Sequence, residues 1–169
     1  MIRHCTAGEF AEIFATINIA AQAYRGTVIP EDVWNEPYMD ESELKGEQQL
    51  GVIFIGHYDD EGGLIGVMGY QDRGDVCLIR HAYILPPAQG RGIGGLLLGA
   101  IRNQTSKPLL VGTWAAAAMA IAFYEKNNFR HVGAGETERL LDKYWQVPKS
   151  QSDQSVVLAD APWFNRPAA

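Results

Sequence analysis

No unbroken apolar run in this chain approaches the roughly 18 residues of a membrane-crossing helix, so a membrane role is not expected. The amino terminus, MIRHCTAGEF, lacks the basic-then-apolar layout of a secretory signal, and a cytoplasmic setting is expected. Cysteine is scarce. Cys5 and Cys77 both sit in apolar, strand-like contexts and read as free buried thiols rather than as a disulfide framework. The four histidines, His4, His57, His81 and His131, are scattered without ligand spacing, so no metal site is expected. The most informative absence is local. From Val76 to Tyr124 there is no aspartate or glutamate, whereas Arg80, Arg91, Arg102 and Lys107 fall inside that window. All 20 acids lie outside it, in a chain of formal net charge −6. That overall sign argues against a nucleic-acid partner. The basic window within it points to a site for an anionic ligand.

What is present suits one globular domain: 169 residues, 47% of them hydrophobic, enough for a core of ordinary size. We place the domain over residues 1–160 and a loosely held tail over 161–169. Residues 2–5 read as a strand, and Thr6 and Glu9 stand at capping-box spacing before a helix over about 7–24. The polar stretch 30–50 reads as one or two short helices or a flap. The period then changes to that of strands, 51–58, 64–71 and 76–85, separated by the turns DDEGG and DRGD. A helix over about 92–104, a buried strand over 107–114 and an alanine-rich helix over 115–127 follow. FRHV, 138–147 and 155–160 read as further strands. The class is α+β.

The segment LPPAQGRGIGGLLLGAIRN, 85–103, concentrates four glycines in six residues where a strand gives way to a helix. The first N–H groups of a helix lack internal partners and its dipole adds partial positive charge, so a phosphate is well received there. Glycine lets it approach the bare backbone, and Arg91 adds a full charge. Close helix–sheet packing is the alternative reason for these glycines, but it leaves the basic window unexplained. Gly90-x-Gly92-x-x-Gly95 matches the dinucleotide fingerprint in letters only. The first acid after the loop is Glu125, too late to hold a ribose, and the strands before the loop form a meander rather than a βαβ unit. No Gly-Lys-Ser/Thr follows, which removes a Walker A loop.

ILPPAQGRGIGGLLL resembles motif A of the GCN5-related N-acetyltransferase (GNAT) superfamily, Gln/Arg-x-x-Gly-x-Gly/Ala, with Gln89, Gly92 and Gly94 in its positions. AIAFYEKNNF resembles motif B, Ala-x-x-Phe-Tyr-x-x-x-Gly-Phe, and the order of elements from residue 2 to about 160 is similar too. The resemblance implies a single-domain GNAT-like fold: a mostly antiparallel twisted sheet of about seven strands, splayed at an acetyl-CoA site and flanked by helices. It implies acetyl-CoA as cosubstrate and no metal. The pyrophosphate would sit on Gln89, Gly90, Arg91, Gly92, Ile93, Gly94 and Gly95. The pantetheine would lie along Ala82, Tyr83 and Ile84, with Phe123 and Tyr124 facing the slot and Pro86-Pro87 keeping the strands apart. A homodimer is a common state in the family. Two positions depart from the pattern. Ala117 stands where an asparagine often bonds the pantetheine, and Asn128 replaces the glycine after the motif B helix, where asparagine still supports a left-handed cap.

Acetyl transfer from a thioester to an amine requires a neutral amine, a stabilised oxyanion and a proton for the thiolate. An amine of pKa near 10.4 is free base about once in 2,500 molecules at pH 7, so a base is needed. The resemblance makes Tyr124 the acid, with packing beside Phe123 as the alternative. The oxyanion can use a strand amide near Ile84. For the base, His81 is the titrating group available in the acid-free window; Tyr83 or a carbonyl-held water are alternatives, as is a purely structural His81. The acceptor should lie between the 20–50 region and the meander, walled by Tyr24, Trp34 and Tyr38 with Glu31, Asp32 and Glu36 nearby. The acidity outside the window favours a cationic acceptor: a small amine, a polyamine or a peptide end. A catalytically silent acyl-CoA-binding sensor or interaction domain is the competing reading.

Overall fold

The computed structural model describes residues 1–166. A seven-stranded sheet forms its centre: β1 (Ile2–His4), β2 (Val52–Tyr58), β3 (Leu64–Asp72), β4 (Cys77–Ile84), β5 (Leu109–Trp114), β6 (Arg130–His131) and β7 (Ser155–Ala159). The spatial order is β1-β2-β3-β4-β5-β7-β6, with every pairing antiparallel except β4 with β5. The helices are α1 (Phe10–Ala21), α2 (Glu41–Gln49), α3 (Ile93–Arg102), α4 (Ala118–Lys126), α5 (Ala134–Tyr144), α6 (Lys149–Ser152) and α7 (Ala161–Phe164). None of the described helices is long and apolar enough to cross a membrane. Cys5 and Cys77 are not joined.

Alternation along the strands sorts the helices between the two faces. Cys77 and Ile79 of β4 pack with Leu109, Val111 and Leu158 against Ile93, Leu97 and Ile101 of α3 and Tyr124 of α4. Leu78 points the other way, joining Leu110 and Val157 under Leu140, Leu141 and Tyr144 of α5. On that second face, nearer β1, Ile13 and Ile17 of α1 and Leu44 of α2 cover Phe54 and Val67. The expected helix after Thr6 forms, and Glu9 accepts hydrogen bonds from Thr6 N at 2.7 Å and Thr6 Oγ1 at 2.9 Å. Asn128 takes a left-handed φ of 66°, as the cap after α4 requires.

Three expectations need correction. The segment 138–147 is not a strand. Its greater part lies in α5, because Leu140, Leu141 and Tyr144 fall on one helical face while Glu138, Arg139, Asp142 and Lys143 are exposed. The tail is held rather than loose over its described part: Trp163 of α7 is 4% exposed and packs under α5; residues 167–169 lie outside the described residues. The separation of β4 from β5 does not await Pro86. Their pairing ends at Ile79↔Val111 although both strands continue, and it ends where β4 bulges. The β3–β4 register shifts between Val67 and Gly69, and His81 has φ 48°. A bulge of this kind bends its strand and disrupts the ladder locally.

Candidate active site

Two cavities meet at the gap between β4 and β5. The wider, about 680 Å3, runs from the glycine loop along Ala82, Tyr83 and Ile84 to α4. The narrower, about 380 Å3, lies on the α1, α2 and α5 side and is lined by Tyr24, Tyr38, Glu43, Glu47, His81, Trp114 and Trp145. Tyr24, Ala82, Tyr83, Ala117 and Tyr124 belong to both walls.

The wider cavity is built from backbone. Gly90 and Gly92 adopt φ of 74° and 78°, and Gly92 is the residue from which α3 starts. The opening amides of α3, at Ile93, Gly94 and Gly95, have no carbonyl one turn back, and all three residues line the cavity. A Cβ on Gly94 would stand 3.0 Å from Phe123 Cε2, so that glycine also allows α3 to lie close on α4. That contact is helix to helix, and a Cβ on Gly92 or Gly95 would meet nothing within 4 Å, so close helix–sheet packing does not account for these glycines. Gln89 Nε2 donates to Ile84 O at 3.0 Å and ties the loop to the strand end. Arg91 is exposed on the loop outside the cavity wall. The residues present can receive an anion at the opening amides of α3, with a long, mostly apolar slot behind them.

The narrower cavity carries the charge. The β4 bulge sends two successive side chains, Arg80 and His81, to the same partner on α2. One Glu47 oxygen accepts from Arg80, and the other lies 2.6 Å from His81 Nε2. Burial pushes the Glu47 carboxyl up, but the hydrogen bond with His81 and the charges of His81 and Arg80 outweigh it and hold the group below its usual range. Glu43, one turn earlier on α2, has no side-chain hydrogen bond or ion pair among the described residues. Desolvation at the cavity wall raises its carboxyl, His81 opposes this and the neighbouring Glu47 adds to it. Around these groups stands an aromatic wall. Tyr24 and Tyr38 each lie 6.1 Å from Tyr83 between ring centroids. Burial raises all three hydroxyls, so they keep their protons near neutrality. Tyr124, 3% exposed, is likewise raised, by burial first and then by Tyr24.

Of the residues expected to wall the acceptor, Tyr24 and Tyr38 line this cavity and Trp34 does not. Trp34 stacks on the outside of Tyr38 at 5.3 Å and donates to Glu36 at 3.1 Å. Sequence reading missed Glu43, Glu47 and the far wall, Trp145 and Gln146. Trp145 rests on Gly112 of β5, where a Cβ would come 3.3 Å from its indole.

A family model described as "Acetyltransferase (GNAT) domain" matches residues 49–131. No curated protein matches the chain. Among solved structures, the fold is similar to the PaiA N-acetyltransferase of Thermoplasma acidophilum in complex with coenzyme A (TM-score 0.70, 16% identity, 95% of this chain and 97% of that one). It is also similar to the ribosomal-protein-S18-alanine N-acetyltransferase of Escherichia coli (0.66, 16%, 95% and 92%). A third likeness is to the GNAT-superfamily phosphinothricin acetyltransferase of Sinorhizobium meliloti in complex with acetyl-CoA (0.60, 18%, 79% and 76%).

Proposed function

From the match of residues 49–131 to a GNAT acetyltransferase domain, we propose that the chain is an N-acetyltransferase using acetyl-CoA and a cationic primary amine, with residues 1–160 as the catalytic domain. The carrying observation is the junction at Tyr124, where a cavity that can receive an anion meets one lined by carboxylates and a histidine. Acetyl-CoA would place its pyrophosphate on the amides of Gln89 to Gly95, with Arg91 beside them, and its pantetheine along Ala82, Tyr83 and Ile84. It supplies a thioester, whose carbonyl carbon bonds the amine nitrogen as the C–S bond breaks. His81 is the base that takes the ammonium proton, and Tyr124 the acid that gives a proton to sulfur. The raised Tyr124 phenol is protonated near neutrality, as an acid must be.

The acceptor's charge follows from Glu43 and Arg80. Arg80 is occupied by Glu47, so an acceptor carboxylate would find no free guanidinium there and would face Glu43. Three acceptors of one chain length test this: 1-aminopentane, 1,5-diaminopentane and 5-aminopentanoate, each with acetyl-CoA and a thiol-release readout. The diamine is expected to exceed the amino acid in kcat/KM by about fivefold or more, the effect of one partly exposed charge pair. Equal or reversed rates would remove the charge assignment.

A silent acyl-CoA-binding module is favoured by one feature: Ala117, 3% exposed and on both cavity walls, offers only a methyl where the pantetheine would pass. Thermal unfolding separates the readings. Acetyl-CoA at ten times its Kd should add about 1.4 kcal/mol, raising the midpoint by roughly 3–5 °C. A raised midpoint without CoA release from any amine would select the silent module. Stabilisation by NAD and not by CoA would remove both readings.

A further inference from the structure

We infer that Glu47 is a positioning residue for the base: oriented by Arg80, its carboxylate keeps the His81 proton on Nε2 and leaves Nδ1 as the proton acceptor. The inference rests on the acetyltransferase reading for its kinetic consequence, but the geometry stands apart from it. A guanidinium can only donate and an ionised carboxylate can only accept. Glu47 therefore accepts on both oxygens, from Arg80 on one and from His81 Nε2 on the other. The three side chains are 14–16% exposed, which keeps water from competing for these bonds. Nδ1 has no partner among the described residues, yet it is not sealed in the interior, and His81 lines the acceptor cavity. Against its burial, the hydrogen bond from His81 and the guanidinium of Arg80 favour the ionised form of Glu47, whose carboxyl is held below its usual range. It accordingly orients the ring and supports the imidazolium without taking the proton itself, as carboxylates do beside catalytic histidines.

The arrangement depends on two devices far apart in sequence. The β4 bulge sends Arg80 and His81 to one side. The α2 segment is fixed against α1 by Asn18, whose amide donates to Met39 O and accepts from Met39 N, both at 3.0 Å, and by the fully buried Leu44.

Glu47→Gln tests the assignment at nearly constant volume. Arg80 still needs an acceptor and takes the amide oxygen, which turns the amide NH2 toward His81 Nε2. That nitrogen must then be unprotonated, the proton moves to Nδ1, and the base is lost. In 15N spectra at a pH where the ring is neutral, His81 is expected to be the Nε2–H tautomer in the unaltered protein and Nδ1–H in the variant. With an accepted amine, kcat should fall about 100-fold, with KM for acetyl-CoA unchanged. Adding Arg80→Met releases the amide oxygen to His81, so the double variant should return to Nε2–H and recover about tenfold in kcat over Glu47→Gln alone. A structural Glu47 would do the opposite: the second substitution would lower activity and the thermal midpoint further, and the tautomer would not move. If the unaltered protein releases no CoA with any amine, the acetyltransferase reading fails, and the tautomers of the three proteins still decide the inference.

Discussion

Tyr124→Phe is expected to lower kcat by about 100-fold while leaving the thermal midpoint and acetyl-CoA binding nearly unchanged. The ring is a core element, 3% exposed, edge-on to Phe123 at 5.0 Å and to Phe129 at 5.3 Å. Phenylalanine preserves those contacts. The hydroxyl itself makes no hydrogen bond among the described residues and is open to the cavities it lines, so its removal orphans no partner and leaves no buried group unsatisfied. A loss of rate would therefore belong to the chemistry. The lower end of the range for general acid catalysis applies because a thiolate, with a parent pKa near 8.5 for cysteine-like thiols, departs more readily than an alkoxide. The measurement is kcat with the best amine, beside a melting curve with and without acetyl-CoA. An unchanged kcat would leave Tyr124 as packing alone and move the proton source to solvent.

The walls of the wider cavity were legible because local rules write them. Positive φ at Gly90 and Gly92, the helix start at Ile93 and the aromatic pair Phe123-Tyr124 are short-range features, and each element stood within a few residues of its expected bounds. The narrower cavity was legible only in part: Tyr24, Tyr38 and His81 were expected there and line it, whereas its carboxylates are brought in by tertiary structure. Glu47 and His81 stand 34 positions apart, and the acid-free window around His81 hid the fact that its carboxylate comes from another helix. One local signal was available. Glu43 and Glu47 are like charges one turn apart on the short helix α2, an arrangement that costs a helix about 0.2–0.5 kcal/mol; such a breach of a local rule marks a functional face. The misread α5 has a different cause. Leucine, tyrosine and tryptophan in 140–145 suit a strand in isolation, and the i, i+1, i+4 spacing of the buried residues decides otherwise. The strand separation was credited to two prolines when the bulge at His81 already accomplishes it.

That bulge makes the last prediction, Gly69→Val, the most consequential for the scaffold. Gly69 pairs with Arg80, and a Cβ there would stand 3.0 Å from the Arg80 carbonyl oxygen and 3.1 Å from both Phe54 Cε1 and Val52 Cγ1. The obstacle is space rather than backbone conformation, and one of the atoms in the way is main chain. Overpacking a tight site costs about 1–3 kcal/mol; with three close contacts the upper figure applies, or roughly 6–12 °C in the thermal midpoint. The contacts also fix where the strain goes. Either β4 moves outward at Arg80, or Phe54 rotates, and Phe54 stacks on His81 at 6.1 Å. Both routes displace the imidazole from Glu47. Misplacing a catalytic group by 1 Å is worth about 100-fold in rate, so activity per folded molecule should fall well beyond what the lost stability explains. Assayed 15 °C or so below the variant's own midpoint, a full specific activity would mean that β4 absorbs the side chain without moving His81. A deficit at that temperature, with acetyl-CoA still raising the midpoint, would place the damage at the base and tie the glycine opposite the bulge to the chemistry it supports.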